Sequence, residues 1–467
     1  MVQSVDNFKT KCTLIQIGAS LLINWGMINS GIALGFPSVA VPPLLGSGPG
    51  LHASVSEASW VAGLSFASAP VAALMAGPLI DSIGRRWSLQ LLNVTFAAGW
   101  LLIAVFPLSL LALYAGRLLT GFGMGLVAST AASYTAEIAS VSLRTVLVNF
   151  IPIMMAAGVF LSYLGAFLYQ ESWSEVSWFG FGISVMSLVL TPLLPESPLW
   201  LLSRGRAEEA LQALQRLRAA TAPEQVKEEL DSFSSRASDK QQTTSWLSTF
   251  HNLRQPQAYK PLLFINAFFI FVQGSGVLIL ISYAVNFSQI AQLDVQAYQV
   301  SLAIAVMRVV ATLLTSWVCN RYGKRGPALF FGSVTAVSIG VLAATVYPFF
   351  TLPYWMITTV VLVYVLSCCV CFSSIPWSML GEIFPTNVRG IANGLTTSIA
   401  FIESVFMVKL YPEAVLSFGA FPVFSFFSVC SLLGTVFLYY FLPETHGKTL
   451  KEIEEYFTGS RVSAVSR

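Results

Sequence analysis

Apolar runs of about twenty or more residues, separated by short polar breaks, fill most of the chain from residue 13 onward. They lack the strict alternation of strands and the regular polar face of a surface helix. A helix rising 1.5 Å per residue needs ~20 such residues to cross a bilayer. The pattern predicts twelve spans, at 13–41, 56–80, 87–106, 109–136, 145–169, 177–194, 261–287, 295–319, 327–350, 354–380, 390–410 and 417–441. Asn24, Asn29, Pro152, Gln273 and Pro376 interrupt them. Such groups are tolerated at membrane depth where they face protein or a water-filled cavity. Residues 196–260 form the one sizeable polar insert. Within it, Arg206 to Arg218 puts Ala207, Ala210, Leu211, Leu214 and Leu217 on one broad helical face. Glu224 to Phe233 gives a second helical segment, and 234–245 is a Ser/Gln-rich stretch expected to be flexible. Two helices here predict a bracket packed beneath both halves.

The second half echoes the first. DSIGRR at Asp81–Arg86 returns as NRYGKR at Asn320–Arg325, AEIASVSLR at Ala136–Arg144 as GEIFPTNVR at Gly381–Arg389, and PESPLWL at Pro195–Leu201 as PETHGKTL at Pro443–Leu450. Three ordered matches at the same stage of each half imply two parallel repeats, an arrangement suited to rocking about a central site. The expected fold is an all-α membrane protein with twelve transmembrane helices in two pseudo-symmetric six-helix bundles. Its expected units are 1–195, the cytoplasmic helical linker 196–260, 261–442 and a cytoplasmic tail 443–467.

Composition agrees. Hydrophobic residues make up 55 % of the chain and charged ones 10 %, against roughly 25 % charged in soluble domains. Lys9 and Lys11 precede the first span, Arg85 and Arg86 follow the second, Arg144 the fourth, and Arg321, Lys324 and Arg325 the eighth. The opposite loops, near 42–55, 170–176, 288–294 and 411–416, contain no Lys or Arg, with Lys409 just inside the edge of one. The positive-inside rule puts both termini and the insert in the cytoplasm, and the expected location is the plasma membrane. A net charge of +3 with three His fits neither a nucleic-acid surface nor a His-rich metal site. Cys12, Cys319, Cys368, Cys369, Cys371 and Cys430 suggest no secreted disulfide framework. The first apolar run, Leu14 to Val41, is too long for a cleaved signal. No Gly-rich loop with a following Lys-Ser/Thr offers ATP drive, and Ser, His and Asp form no hydrolase constellation, since His52 and His446 lie in loops on opposite sides. No enzyme activity, cofactor or metal is expected. Asn286-Phe-Ser288 is a glycosylation sequon on the outer side, while Asn93-Val-Thr95 falls inside a span.

Gly77–Arg86 (GPLIDSIGRR), Gly116–Arg117, Glu137 with Arg144, PESPLWL, Gln273 with Ser275–Gly276, Pro376–Trp377, Glu382 with Arg389, and PETHGKT occur in order along nearly the whole chain. Together they resemble the sugar porter branch of the major facilitator superfamily. Gly31–Pro43 (GIALGFPSVAVPP) and Ser59–Trp60 resemble its insect branch of facilitated trehalose transporters. The resemblance implies a carrier of a small solute among membrane lipids, acting as a monomer. It also implies a gate of helix-end charges: Asp81, Arg85, Arg86, Glu137, Arg144 and Glu196 in one half, and Arg321, Arg325, Glu382, Arg389 and Glu444 in the other. Ion pairs among them are expected to hold the inner faces together when the cavity opens outward, and Asn320, replacing an acid, is expected to weaken the second latch.

The expected cavity departs from that family. Gln273, whose amide both donates and accepts, matches one Gln of the family's sugar-binding pair, but its neighbour is Val272 and the Asn expected five residues later is Leu278. Pro152 and Ala400 replace two further amides, and Ser373–Ser374 replaces a Gly-Pro pair. Trp377 keeps an aromatic platform, and Ser275 and Tyr283 complete the expected set with two charges, Arg308 and Glu403. Intramembrane charges usually face cavities or one another. Arg308 is therefore expected either to pair with Glu403 in at least one transport state or to orient an anionic solute. Between Asp6 and Val41 there is no Asp or Glu, which favours facilitated diffusion over proton coupling. Three classes follow: a facilitative carrier of a small sugar or polyol (trehalose or hexose-like), a carrier of a non-sugar organic solute, anionic or amphipathic, and a transporter-like nutrient receptor.

Overall fold

The computed structural model of the chain describes all residues except 1, 47–49, 141–142, 170–171, 243–252, 291–296, 348–351, 386–387, 445–447, 449–451, 453–455 and 458–467. Part of the Ser/Gln-rich stretch, most of the tail and His446 therefore lie outside the described residues.

The chain is helical throughout, with no strand among the described residues. The first half contains α1 (Val2–Leu45), α2 (Val55–Ile83), α3 (Arg85–Val105), α4 (Leu110–Ile138), α5 (Arg144–Val148), α6 (Phe150–Leu168) and α7 (Trp173–Leu190). The insert supplies α8 (Pro198–Ser203), α9 (Ala207–Arg218) and α10 (Lys227–Gln242). The second half contains α11 (Pro256–Gly274), α12 (Val277–Ser282), α13 (Ala284–Ile290), α14 (Ala297–Tyr322), α15 (Arg325–Thr345), α16 (Tyr354–Cys368), α17 (Ile375–Ile383), α18 (Arg389–Phe418) and α19 (Ala420–Phe441). Eleven stretches are helical, long and apolar enough to cross a membrane among the described residues.

The twelfth, predicted as one helix over 261–287, is broken into α11, α12 and α13, and the sequence explains the break. Gly276 has φ 80°, and a Cβ there would meet the Phe427 ring at 2.7 Å and the Tyr364 hydroxyl at 2.8 Å, so this left-handed position suits glycine alone. The freed polar groups find partners: Tyr364 donates to the Ser275 carbonyl at 2.7 Å, and the Ser275 hydroxyl donates to the Val272 carbonyl at 2.7 Å. A second irregularity, a π-turn over Cys369–Ser374, joins α16 to α17 within the predicted span 354–380. Pro376, lacking an N–H, sits at the start of α17.

Small residues let backbones touch, as expected where helices associate without a hydrophobic driving force. Gly31 on α1 and Gly158 on α6 face one another, so that a Cβ on either would strike the partner helix's backbone. Across the halves, α2 packs on α18, α6 on α14, and α1 on α12 and α13.

The insert packs beneath the first half, to which α8, α9 and the residues flanking them donate hydrogen bonds. Trp200 Nε1 and Arg204 donate to the Asp81 carbonyl at 2.9 and 2.7 Å, and Arg218 Nη1 to the Ile138 carbonyl at 2.8 Å. Ala210, Ala213, Leu214 and Leu217 are the buried apolar face of α9.

Candidate functional site

At the insert end of the first half, Arg85 is 3 % exposed and pairs with Glu137 at 2.7 Å and Asp81 at 3.4 Å. Glu196 accepts from the backbone N–H of Arg85 at 2.9 Å and of Arg86 at 3.2 Å. Ser197 donates its hydroxyl to the other Glu137 oxygen. The second half repeats this cluster. Lys324 pairs with Glu382 at 2.8 Å, and Glu444 accepts from the backbone N–H of Lys324 and of Arg325, both at 3.1 Å. Gly84 (φ 93°) and Gly323 (φ 77°) make room: a Cβ would lie 2.6 Å from the carboxylate of Glu196 or of Glu444. In each half a carboxylate from the chain after the sixth span therefore caps the N-terminus of the third helix, where unpaired N–H groups attract anions.

The sequence-derived gate changes in two respects. Arg321 is exposed and stacks on Tyr322, 5.8 Å from its ring centre, and Lys324 occupies the place that Arg85 holds in the first half. Its signal was in the sequence, since Lys324 is the counterpart of Arg85 in the DSIGRR/NRYGKR echo. Asn320 is exposed, so the second latch uses Glu382 alone where the first uses Glu137 and Asp81. Further, the ion pairs Arg85–Glu137 and Lys324–Glu382 each lie within one half. Arg389 donates to the Phe384 carbonyl at 3.0 and 3.2 Å. Arg144 Nε is buried without a hydrogen bond among the described residues, and the Arg325 guanidinium donates to the Tyr439 carbonyl at 2.7 Å.

The halves are tied by hydrogen bonds from Asn149 Nδ2 to Ser316 Oγ at 2.9 Å and from Ser398 Oγ to the Pro70 carbonyl at 3.1 Å, and most fully at the opposite, distal end. Ser38 on α1 donates to the Ile281 carbonyl at 3.1 Å and accepts from the Ala284 N–H at 2.8 Å. The Tyr163 hydroxyl also donates to the Ile281 carbonyl. Lys409 on α18 reaches Ser59 Oγ at 2.7 Å, Ser56 Oγ at 2.9 Å and the Ser56 carbonyl at 3.1 Å on α2, beside Glu413 at 2.9 Å. The break at Gly276 and the turn at Tyr283 thus let the seventh span hand its freed carbonyl to the other half. Sequence reasoning missed this tie, although Lys409 stood out as a lone cation near an otherwise uncharged loop.

Between the two ends, Gln273 is 7 % exposed. Its Nε2 donates to the Ala400 carbonyl at 3.1 Å and to Ser404 Oγ at 2.7 Å, while its Oε1 is buried without a partner among the described residues. Trp377 is 37 % exposed and rests edge-on against Phe269, with ring centres 5.0 Å apart. Ser275 and Tyr283, expected to touch solute, are fully buried and bonded to backbone: Ser275 to Val272, and Tyr283 to the Val408 carbonyl at 3.0 Å. Arg308 and Glu403 form no ion pair here. Arg308 lies beside the Cys369 thiol, with Nε and Nη1 lacking oxygen partners, and Glu403 Oε2 is likewise buried and unbonded. Asn286 sits inside α13 with its Oδ1 buried, poorly presented for glycosylation.

Comparison with known proteins agrees with this architecture. A facilitated trehalose transporter of Bombyx mori is 29 % identical, over 96 % of this chain and 88 % of its own length. One from Culex quinquefasciatus is 29 % identical, over 98 % and 89 %. The inward-open structure of the xylose transporter XylE from E. coli superposes with a TM-score of 0.73 at 20 % identity, over 96 % of this chain and 99 % of that one. XylE bound to 6-bromo-6-deoxy-D-glucose gives 0.71, also at 20 % identity, over 97 % and 99 %. These structures share the twelve-helix, two-bundle fold of the major facilitator superfamily. The family described as "Sugar (and other) transporter" matches residues 11–457. The chain is thus a multi-pass membrane transporter, not an enzyme, and it belongs to the sugar transporter family, whose members move small solutes by alternating access.

Proposed function

We propose that this carrier moves a neutral sugar or polyol, of hexose to trehalose size, down its gradient across the plasma membrane. The observation that carries the reading is Gln273: a buried amide in the broken seventh span, donating to α18 and holding an unused acceptor oxygen. A sugar hydroxyl supplies the donor that oxygen lacks, and Trp377 offers ring area for a sugar face. Trehalose is the solute of the insect relatives at 26–30 % identity, which supports it as the first solute to test. The acid-free first span favours uncoupled transport. In this reading the insert end is cytoplasmic, the distal end faces outward, the units are 1–195, 196–260, 261–442 and 443–467, and one chain suffices.

The test is counterflow in proteoliposomes loaded with unlabelled solute and given labelled trehalose, glucose, a polyol or a sugar acid. Exchange of a neutral sugar or polyol without a proton gradient supports the proposal. Exchange of the sugar acid alone favours an anionic solute, and ligand-dependent thermal shift without flux favours a receptor.

A further inference from the structure

Beneath the first half, a cavity of about 330 Å³ opens between the start of α3, the loop at Pro195–Glu196 and α9. Three arginines, Arg86, Arg206 and Arg216, and two glutamates, Glu196 and Glu209, line it. The glutamates are already engaged. Glu209 forms a two-pronged pair with Arg206, both contacts 2.6 Å, and Glu196 accepts from the N–H groups of Arg85, Arg86 and Ser197. The guanidinium of Arg86 stacks by its own neighbour Trp87, 5.8 Å from the ring centre. Among the described residues, no hydrogen bond or ion pair engages the side chain of Arg86 or of Arg216. Arg86 and Arg216 therefore face one cavity from two elements, the gate helix α3 and the bracket helix α9, and the charged lining, three arginines against Glu196 and Glu209, carries an excess of one positive charge.

The cavity also adjoins an exposed apolar face. Trp87, on its rim, is 58 % exposed, and Leu91 and Val94 continue the exposed apolar face of α3 beyond it. Tryptophan is enriched at the depth of lipid headgroups. Paired guanidinium forks match the oxygens of a phosphate better than those of a neutral ligand. We infer that this cavity is a phosphate-binding site, in which Arg86 and Arg216 grip one phosphate group and so fasten the bracket to the gate helix of the first half. The ligand class is a phosphate-bearing anion, either an anionic phospholipid headgroup or a soluble phosphate. The site is separate from the solute path and does not depend on which solute is carried.

The full chain in neutral phosphatidylcholine nanodiscs is titrated with a short-chain phosphatidylinositol 4-phosphate in one arm and with inorganic phosphate in the other. Binding is read by native mass spectrometry and by shift of the unfolding temperature. The inference expects saturable binding that Arg216→Gln and Arg86→Gln each weaken roughly tenfold, as for loss of one charge-assisted hydrogen bond. Arg216→Lys, which keeps the charge and loses the fork, should bind with intermediate affinity. Arg254→Gln, an exposed arginine that does not line the cavity, should bind as the parent does. Binding in the lipid arm alone identifies a headgroup site, and binding in both arms with the same arginine dependence identifies a free-phosphate site. Absence of binding in both arms, or binding indifferent to Arg86 and Arg216, overturns the inference. If Arg216→Gln does not fold, the Arg216→Lys and Arg86→Gln comparison decides by the same criteria.

Discussion

Replacing Lys409 with Met should open the distal end of the bundle. The ammonium has three donors, shared among four acceptors: Ser59 Oγ and both oxygens of Ser56 across the halves, and Glu413 within its own helix. These contacts differ in weight. Glu413 is 47 % exposed, so water and salt screen that pair and it contributes little. Ser56 is exposed, whereas Ser59 is buried and Lys409 itself is 17 % exposed. Counting one charge-assisted bond to Ser59 at about 1.5 kcal/mol, and Ser56 at a few tenths, gives about 1.5–2 kcal/mol for the tie. All of it is lost when α2 and α18 part, so removing it shifts the closed-to-open equilibrium roughly 10- to 30-fold toward open. The reporter is a single cysteine at Ile281, 4 % exposed in the closed arrangement, in a chain stripped of its six native cysteines. A membrane-impermeant maleimide added on the outer side, to which the proposed orientation turns the distal end, should alkylate it about tenfold faster in Lys409→Met. Glu413→Gln should change the rate less than twofold. An unchanged rate in Lys409→Met, with Ser38→Ala accelerating the same reporter, would show that the lysine bonds do not hold this end shut.

Four further outcomes are expected. Gln273→Ala should raise the half-saturating concentration for uptake about tenfold by leaving α18 and the solute each short of a partner, and a normal uptake curve would remove Gln273 from recognition. Trp377→Ala should lower uptake without loss of folded protein, read by uptake normalised to surface expression. Gly323→Ala should disrupt the Glu444 cap and lower the unfolding temperature by more than Gly326→Ala, beside which a Cβ meets nothing within 4 Å. In the Arg308/Glu403 double-mutant cycle, pairing in another transport state predicts that the double neutral variant is less damaged than Arg308→Ala alone, whereas additive losses assign the two charges separate tasks.

The helices were legible because a bilayer demands long apolar runs, and a run such as 327–350 needs no partner to declare itself. The repeated loop strings also carried over, down to Glu196 and Glu444 capping equivalent helices. The strings also held the basic partner of the second latch, since Lys324 aligns with Arg85, although the expected gate names Arg321 instead. Arg321 belongs to the last turn of α14, whereas the chain turns at Gly323 (φ 77°) and Lys324 stands at the start of α15, the position that Arg85 holds in the first half. The break in the seventh span was visible as Gly274 and Gly276, but the use of the freed Ile281 carbonyl was not. Its partners, Ser38 and Tyr163, lie 243 and 118 residues away, beyond any local pattern.

The same distinction explains how the charge clusters relate to movement. Arg85–Glu137 and Lys324–Glu382 each join helices of one half, so they travel intact when the halves rock. Contacts between halves are of another kind: at the distal end they are mainly neutral hydrogen bonds to backbone, with one lysine. A neutral hydrogen bond contributes about 1 kcal/mol net, small enough to break on each cycle, whereas losing one partner of a buried pair such as Arg85–Glu137 costs about 3–5 kcal/mol. Glu382 is 45 % exposed, so water screens Lys324–Glu382. Charge pairs and carboxylate caps that stay inside each half, with weak ties between the halves, suit a rocking carrier: bodies whose two arrangements differ by only a few kcal/mol.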